Sequence, residues 1–317
     1  MSAPPRPWIE AFAPATISNL GPGFDCLGLA IQGAGDRVRV RRSGTPGVHL
    51  GRITGDKGRL PTAPEANTAS AVLQAMIERF APGEGLEVEL DKGLPLGSGL
   101  GSSGASACAA LVAGDAALGL GLGHTQLVDL ARGGEKIACG SAHPDNVAPA
   151  IVGGIVLISN LDPLRLISLP APRDLWIAVY TPGCEVATKD ARAVLPKRVG
   201  LDQTVRHSAR LGLLVHALHV GDLSLLGEAI TDELIEPARA HLIPGYIDAK
   251  VSAIEAGAIA CSISGAGPTT FALSGSEERA TALLEILEES FTHHGVAGKG
   301  WVDRVGAGAQ ITSKQLH

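Results

Sequence analysis

Aromatic side chains are scarce in this sequence, at 3% of 317 residues. Its cores must therefore be built from Ala, Leu, Val and Ile rather than around rings. The five cysteines (Cys26, Cys108, Cys139, Cys184, Cys261) are scattered and form no CxxC pair. An odd, dispersed set argues against a disulfide framework and a zinc site; several lie in apolar or small-residue runs, where a thiol acts as a small hydrophobe. There is no basic tract, and the formal net charge is −6, so neither nucleic acid nor anionic membrane is an expected partner. An anionic substrate would have to meet a local positive site. No run of about 18 continuous apolar residues occurs, and the opening MSAPPRPWIEAF lacks an apolar leader core, so the expectation is no membrane and a cytoplasmic location.

What is present is the composition of an ordinary soluble globular protein, 45% hydrophobic and 18% charged, long enough for two modest domains. The 41 glycines exceed average usage and point to tight turns or close backbone approaches. Asp36–Arg42 alternates as a half-exposed strand, and Leu86–Leu90 alternates again. Asn67 or Thr68 reads as the N-cap of a helix. An Ala-rich helix is expected from about Ala105 to Leu118, and a short one over Thr125–Arg132. Gly153–Ile158 and Trp176–Tyr180 read as strands, and Asp162–Arg173, with three prolines, as a linker. Helical periodicity follows over Asp202–Val220 and Asp222–Leu234. The end of the chain reads strand, strand, helix, strand: Ile259–Ser264, Thr270–Leu273, Glu277–Phe291 and Trp301–Val305. The expected organisation is two α+β domains, 1–165 and 166–317.

The most informative stretch joins a strand to a helix through Gly97, Ser98, Gly99, Leu100, Gly101, Ser102, Ser103 and Gly104. Backbone N–H groups at such a junction, with the positive end of the helix dipole, make an anion site. The glycines let phosphate oxygens approach the backbone, and Ser102 and Ser103 add hydroxyls. The loop is not a Walker motif, because no lysine follows its glycines. Gly99–Gly104 does satisfy GxGxxG, but a dinucleotide fold needs an acidic residue roughly 20 positions on. The corresponding stretch from Gly119 carries no carboxylate.

Pro95–Ala105 resembles the ATP loop of the GHMP kinases (galactose, homoserine, mevalonate and phosphomevalonate kinases). Ala13–Gly28, Glu135–Pro149 and Glu236–Tyr246 resemble segments as homoserine kinases write them, and Ser262–Thr270 is similar to the third GHMP motif. The five matches keep the family's order from residue 13 to 270. The resemblance implies an α+β, two-domain GHMP kinase fold: an N-terminal α/β domain with a left-handed crossover (ribosomal-protein domain-like) that binds ATP, and a C-terminal ferredoxin-like domain. It further implies transfer of a phosphate from ATP to L-homoserine, a step of threonine biosynthesis, with a homodimer left open.

By the same resemblance, Pro95, Leu96, Gly97, Ser98, Gly99, Leu100, Gly101, Ser102, Ser103, Gly104 and Ala105 hold the triphosphate, and Ser103 and Glu135 hold Mg²⁺. Mg²⁺ suits such a site, preferring few protein oxygens plus phosphate and water. Asn67 would contact adenine, although an N-cap explains it equally well. Homoserine is a zwitterion: Asn19 and Asp25 would take its amine, Arg192 and Arg239 its carboxylate, with His143 nearby. Arginine's planar fork suits a carboxylate. Thr188 would lie near the transferred phosphate. Eleven residues after Glu135, where mevalonate-type members place a basic aspartate, stands Asn146; it cannot take a proton and would orient the hydroxyl, with Asp145 as the fallback base. Two rival readings remain: another GHMP kinase with a different alcohol, which would leave the two arginines without a partner, and a non-catalytic sensor, which should have lost Glu135 or the Ser102–Ser103 pair.

Overall fold

The computed structural model describes residues 6–139 and 143–315, with side chains at all of these except 135–139 and 314–315. The chain opens with two long antiparallel strands, β1 (Trp8–Asn19) and β2 (Gly23–Ser43). The expected alternation holds: Asp36, Val38 and Val40 are fully buried, while Arg39 and Arg41 turn outward onto the Trp8 ring and pair with Glu89 and Glu87. β3 (Gly47–Thr54) and β4 (Gly85–Asp91) are parallel, so they need a crossover, and α1 (Thr68–Phe80) is that crossover. Asn67 caps it, accepting from the N–H groups of Ala69 and Ser70.

The glycine-rich loop leads into α2 (Ser102–Leu118), which starts three residues earlier than expected. Its buried positions lie all round it, as befits a helix enclosed by its neighbours. It packs on β1, β2, α1 and α3 (His124–Cys139). The last of these runs beyond the expected Arg132. α4 (Val147–Val152) then leads to β5 (Ile155–Leu161) and β6 (Leu164–Leu169).

β6 corrects the sequence reading, because Asp162–Arg173 is not a linker. Leu164–Leu169 pairs antiparallel with β5, which itself pairs with the first half of β2. The prolines flank that strand rather than interrupt it, Pro163 lying in the turn and Pro170 and Pro172 beyond its end. The chain leaves this sheet across residues 170–175.

The second sheet starts with β7 (Trp176–Thr181), and α5 (Thr188–Ala193), α6 (Leu201–Val220) and α7 (Leu223–Ala229) follow. The helix expected over Asp222–Leu234 thus ends at Ala229. Asp232 accepts from the N–H groups of Leu234, Ile235 and Glu236 and begins a new helix, α8 (Ile235–Arg239). After it come α9 (Tyr246–Glu255), β8 (Ala260–Ile263), β9 (Thr270–Ser274), α10 (Glu277–His293) and β10 (Lys299–Arg304). The sheet order is β10-β7-β9-β8, all antiparallel. Counted within the sheet this is fourth-first-third-second, with helices after the first and third strands, the split βαββαβ arrangement of ferredoxin-like domains. Tyr180 and Phe291 stack in its core at 5.3 Å. Finally β11 (Gln310–Gln315) returns to pair with β1 and completes a seven-stranded first sheet. Among the described residues, no helix is long and apolar enough to cross a membrane.

Candidate active site

The two sheets meet around the glycine loop, and a cleft of about 250 Å³ opens there. Its floor is the loop itself (Leu96, Gly97, Ser98, Gly99, Gly101, Ser102, Ser103), and its far wall carries Asp25, His143, Thr188, Arg192 and Arg239. The third motif holds the loop from the other lobe: Ser264 Oγ donates to the Gly99 carbonyl at 2.7 Å, and the Thr269 N–H to the Ser98 carbonyl at 3.1 Å. A Cβ on Gly99 would lie 2.5 Å from the Ser264 carbonyl oxygen, so only glycine allows this docking. Pro95, Leu100, Gly104 and Ala105 are absent from the lining. Pro95 and Leu100 brace the turn instead, their carbonyls accepting from Ser98 Oγ and from the Thr16 N–H.

Beneath the loop lies a charged cluster that the sequence reading missed. Lys92, at the end of β4, forms an ion pair with Asp36, and both side chains are at most 1% exposed. Lys92 Nζ also donates to the Ser102 carbonyl at 2.7 Å and to Ser106 Oγ at 2.9 Å. Asp36 Oδ1 accepts from the N–H groups of Gly93 and Leu94, and its Oδ2 from Ser106 Oγ. One buried pair therefore ties the loop's entry to the first turn of α2. The signal was available, since Asp36 falls in phase with the inward Val38 and Val40.

Gly101 is glycine for a different reason from the one expected. Its φ is +67°, and an added Cβ would lie 2.2 Å from Thr16 Oγ1 and 3.0 Å from Asn146 Oδ1. The space beside it is filled by protein, which corrects the expectation that a phosphate oxygen needs that room. Thr16, 1% exposed, is another missed residue. Its hydroxyl donates to Asn146 Oδ1 at 2.8 Å, and Asn146 Nδ2 donates to Ser18 Oγ at 3.3 Å. With its oxygen turned to Thr16, the Asn146 amide offers the cleft a donor.

On the far wall, Asp25 sits at φ +58° in a turn that also holds Asn19 and Leu20 at positive φ. Three non-glycine residues in the left-handed region within seven positions form a costly conformation of the kind found at functional sites. Asn19 holds it, accepting from the Asp25 N–H and donating to the Gly265 carbonyl. Arg192 grips Asp25 with two hydrogen bonds, at 3.1 and 2.7 Å, so these two expected ligand contacts meet each other in the chain by itself. His143 Nδ1 lies 3.3 Å from Asp25 Oδ2. Burial lowers the His143 pKa; Asp25 partly opposes this, and Arg192 adds to it. The ring is therefore neutral at pH 7. Near Asp25 and Asp145, burial lifts the Cys26 thiol to about 11, which makes it unreactive.

Arg239 is different. It is 3% exposed, and its Nε and Nη1 donate to the carbonyls of Ala191 and Gly265. Among the described residues it has no carboxylate partner. Its pKa is pulled down, chiefly by burial and next by Arg192, while the more distant charges of Asp25, Asp232 and Asp145 oppose this; it starts high enough to keep its charge. Both guanidinium groups lie over the Phe24 ring, at 5.5 Å (Arg192) and 5.3 Å (Arg239). Thr188 lines the cleft at the start of α5, as does the buried Asp145. Asn67 does not: it is 2% exposed, its oxygen caps α1, and its Nδ2 donates to the Pro61 carbonyl. The cap is the role this geometry supports. Glu135 lies on α3, but its side chain is outside the described residues.

Residues 67–154 match the family of GHMP kinase N-terminal domains, and residues 214–293 the GHMP kinase C-terminal domains. The chain is 44% identical to a homoserine kinase of Chlorobium phaeobacteroides strain BS1 over 294 residues, covering 90% of this chain and 92% of that one. It is equally identical to a homoserine kinase of Arabidopsis thaliana, over 94% of this chain and 84% of that one. A crystal structure of homoserine kinase from Cytophaga hutchinsonii superposes with a TM-score of 0.93 at 43% identity, covering 98% and 99% of the two chains. The L. major mevalonate kinase, at 17% identity and TM-score 0.70, shares the fold.

Proposed function

The chain belongs to the GHMP kinases, and within them to the homoserine kinases, and on that premise we propose how its cleft transfers phosphate from ATP to the side-chain hydroxyl of L-homoserine. The observation that carries the reading is Arg239, a buried guanidinium with no carboxylate partner among the described residues, facing a cleft whose floor is an anion-binding loop. A buried cation calls for a counter-charge, and the α-carboxylate of an amino acid supplies one. The Asp25 carboxylate beside it lines the cleft and carries the charge suited to the α-amine.

ATP sets its phosphates against the loop and the first turn of α2. The hydroxyl oxygen of homoserine bonds to the γ-phosphorus as the bond from that phosphorus to the β–γ bridging oxygen breaks, leaving ADP and the phosphate ester. Asn146 donates a hydrogen bond to the acceptor oxygen and holds it in line. The hydroxyl proton passes to Asp145 or to the phosphate itself, because a loose transition state needs little help from a base. Ser103, and Glu135 on the packed neighbour α3, are oxygen donors of the hard kind that Mg²⁺ takes. When bound, that ion neutralises charge on the phosphates. Phosphorus NMR of a reaction with ATP, Mg²⁺ and homoserine tests the reading. A new phosphomonoester in step with ADP is expected, whereas ADP with free phosphate alone would make the chain a hydrolase.

Thr16 and Asn146 give a second expected result. Asn146→Ala lowers kcat roughly 100-fold with little change in either KM, since a misplaced reacting atom costs about that much. Thr16→Val, which removes only the hydroxyl that orients the amide, lowers kcat in the same manner but less, and Thr16→Ser restores it. Steady-state kinetics with each substrate varied decides. A rise in KM(ATP) without loss of kcat would place both residues in nucleotide binding.

A further inference from the structure

Directly over the phosphate loop stands a carboxylate. Glu185, between β7 and α5, lies against Gly97: a Cβ built on that glycine would be 3.8 Å from Glu185 Cβ and 3.8 Å from its Oε2. An acidic group beside an anion site opposes the anion, and here it is held by a cation from the other lobe. Arg59 Nη1 donates to Glu185 Oε1 at 2.6 Å, and Nη2 to Oε2 at 2.9 Å. The pair is two parallel bonds, the fork geometry that a guanidinium uses for a carboxylate or a phosphate alike. Arg59 is presented by a built turn. Asp56 accepts from the Leu60 N–H at 3.1 Å and, through its carbonyl, from the Arg59 N–H at 3.2 Å. Further on, Asn67 Nδ2 holds the Pro61 carbonyl. Both side chains of the pair are about half exposed, at 49% and 57%, so solvent pays little attention to its loss and the pair can exchange partners easily.

We propose that Arg59 and Glu185 form a phosphate-responsive latch, in which the Glu185 carboxylate stands in for a nucleotide phosphate and is displaced when ATP binds, handing the Arg59 fork to the triphosphate. The inference rests on the assignment of the Gly97–Ser103 loop to ATP. It makes Arg59 a nucleotide-binding residue and Glu185 its internal competitor, so the two ends of one ion pair act on ATP affinity in opposite directions. A bridge that merely held the lobes together would move it the same way from either end.

The test is calorimetric titration of the full chain with a non-hydrolysable ATP analogue and Mg²⁺. Glu185→Gln removes both the competitor and its negative charge, and affinity rises about 3- to 10-fold; Arg59→Gln lowers it by a similar factor. The double variant binds more tightly than Arg59→Gln, because it lacks the unpaired carboxylate beside the loop, but less tightly than Glu185→Gln, because it lacks the fork. Raising the salt concentration shrinks both effects. Circular dichroism melts of the two single variants, expected to match the parent, guard against misfolding. Equal affinities in all four proteins, or weaker binding in both single variants, would overturn the latch while leaving the loop assignment standing. A parent chain that bound no ATP analogue would instead overturn the loop assignment.

Discussion

Arg239→Leu is expected to lower kcat/KM for homoserine roughly 30- to 5,000-fold, the equivalent of about 2–5 kcal/mol for removing one member of a buried charge pair. Arg239 is buried and, among the described residues, donates only to the Ala191 and Gly265 carbonyls. Replacing it therefore leaves the substrate carboxylate facing those acceptors with no cation. Arg192 cannot compensate, since Asp25 already holds its fork. KM for ATP should barely move, because the phosphate loop forms the opposite side of the cleft. Arg239→Lys keeps the charge but not the planar fork and should recover only part of the loss. Kinetics with each substrate varied separately checks this; an equal loss of ATP affinity would move Arg239 to the nucleotide.

Lys92→Met should cost about 3–5 kcal/mol of stability, because it leaves the Asp36 carboxylate buried without its cation. The Asp36–Lys92 pair is at most 1% exposed, so water cannot replace the lost partner. By contrast Arg39→Gln, which breaks the partly exposed pair with Glu89, should cost less than about 1 kcal/mol. Urea denaturation of the three proteins separates the cases. The Lys92 variant should also bind ATP poorly, because Lys92 Nζ holds the Ser102 carbonyl at the first turn of α2. A stability loss below 1 kcal/mol in Lys92→Met would mean that the pair is dispensable to the loop.

Much of the fold was legible where one element carried its own signal. The alternation of Asp36–Arg42 marked a half-exposed strand, and the start of α1 was placed at Asn67 or Thr68, of which Asn67 is the cap. Elements whose partners are distant in sequence were not legible. β11 owes its existence to β1, some 300 positions earlier, and β6 owes its existence to β5, against three prolines that read locally as a linker. At Asp222–Leu234 the apolar period runs on, but Asp232 captures three N–H groups and restarts the helix, a capping event that periodicity cannot register.

The site shows the same division. Asp25, His143, Asn146, Thr188, Arg192 and Arg239 come from four separate stretches of the sequence and line one cleft. Most of the residues that the resemblance named line the cleft, and it passed over those packed against them: Thr16 behind Asn146, Lys92 and Asp36 behind the loop, Glu185 above it. Nor could a sequence tell that Asp25 and Arg192 satisfy one another in the chain by itself, because that bond joins residues 167 positions apart.

The most direct measurement is a coupled ADP-release assay comparing L-homoserine with L-serine, galactose and mevalonate at matched concentrations of ATP and Mg²⁺. Arg239 calls for a carboxylate and the Asp25 charge for an amine, so homoserine should give by far the highest kcat/KM. L-serine, a methylene shorter, should turn over much less, and galactose, which has neither group, should give almost nothing. Faster turnover of galactose or mevalonate than of homoserine would contradict the assignment of the acceptor.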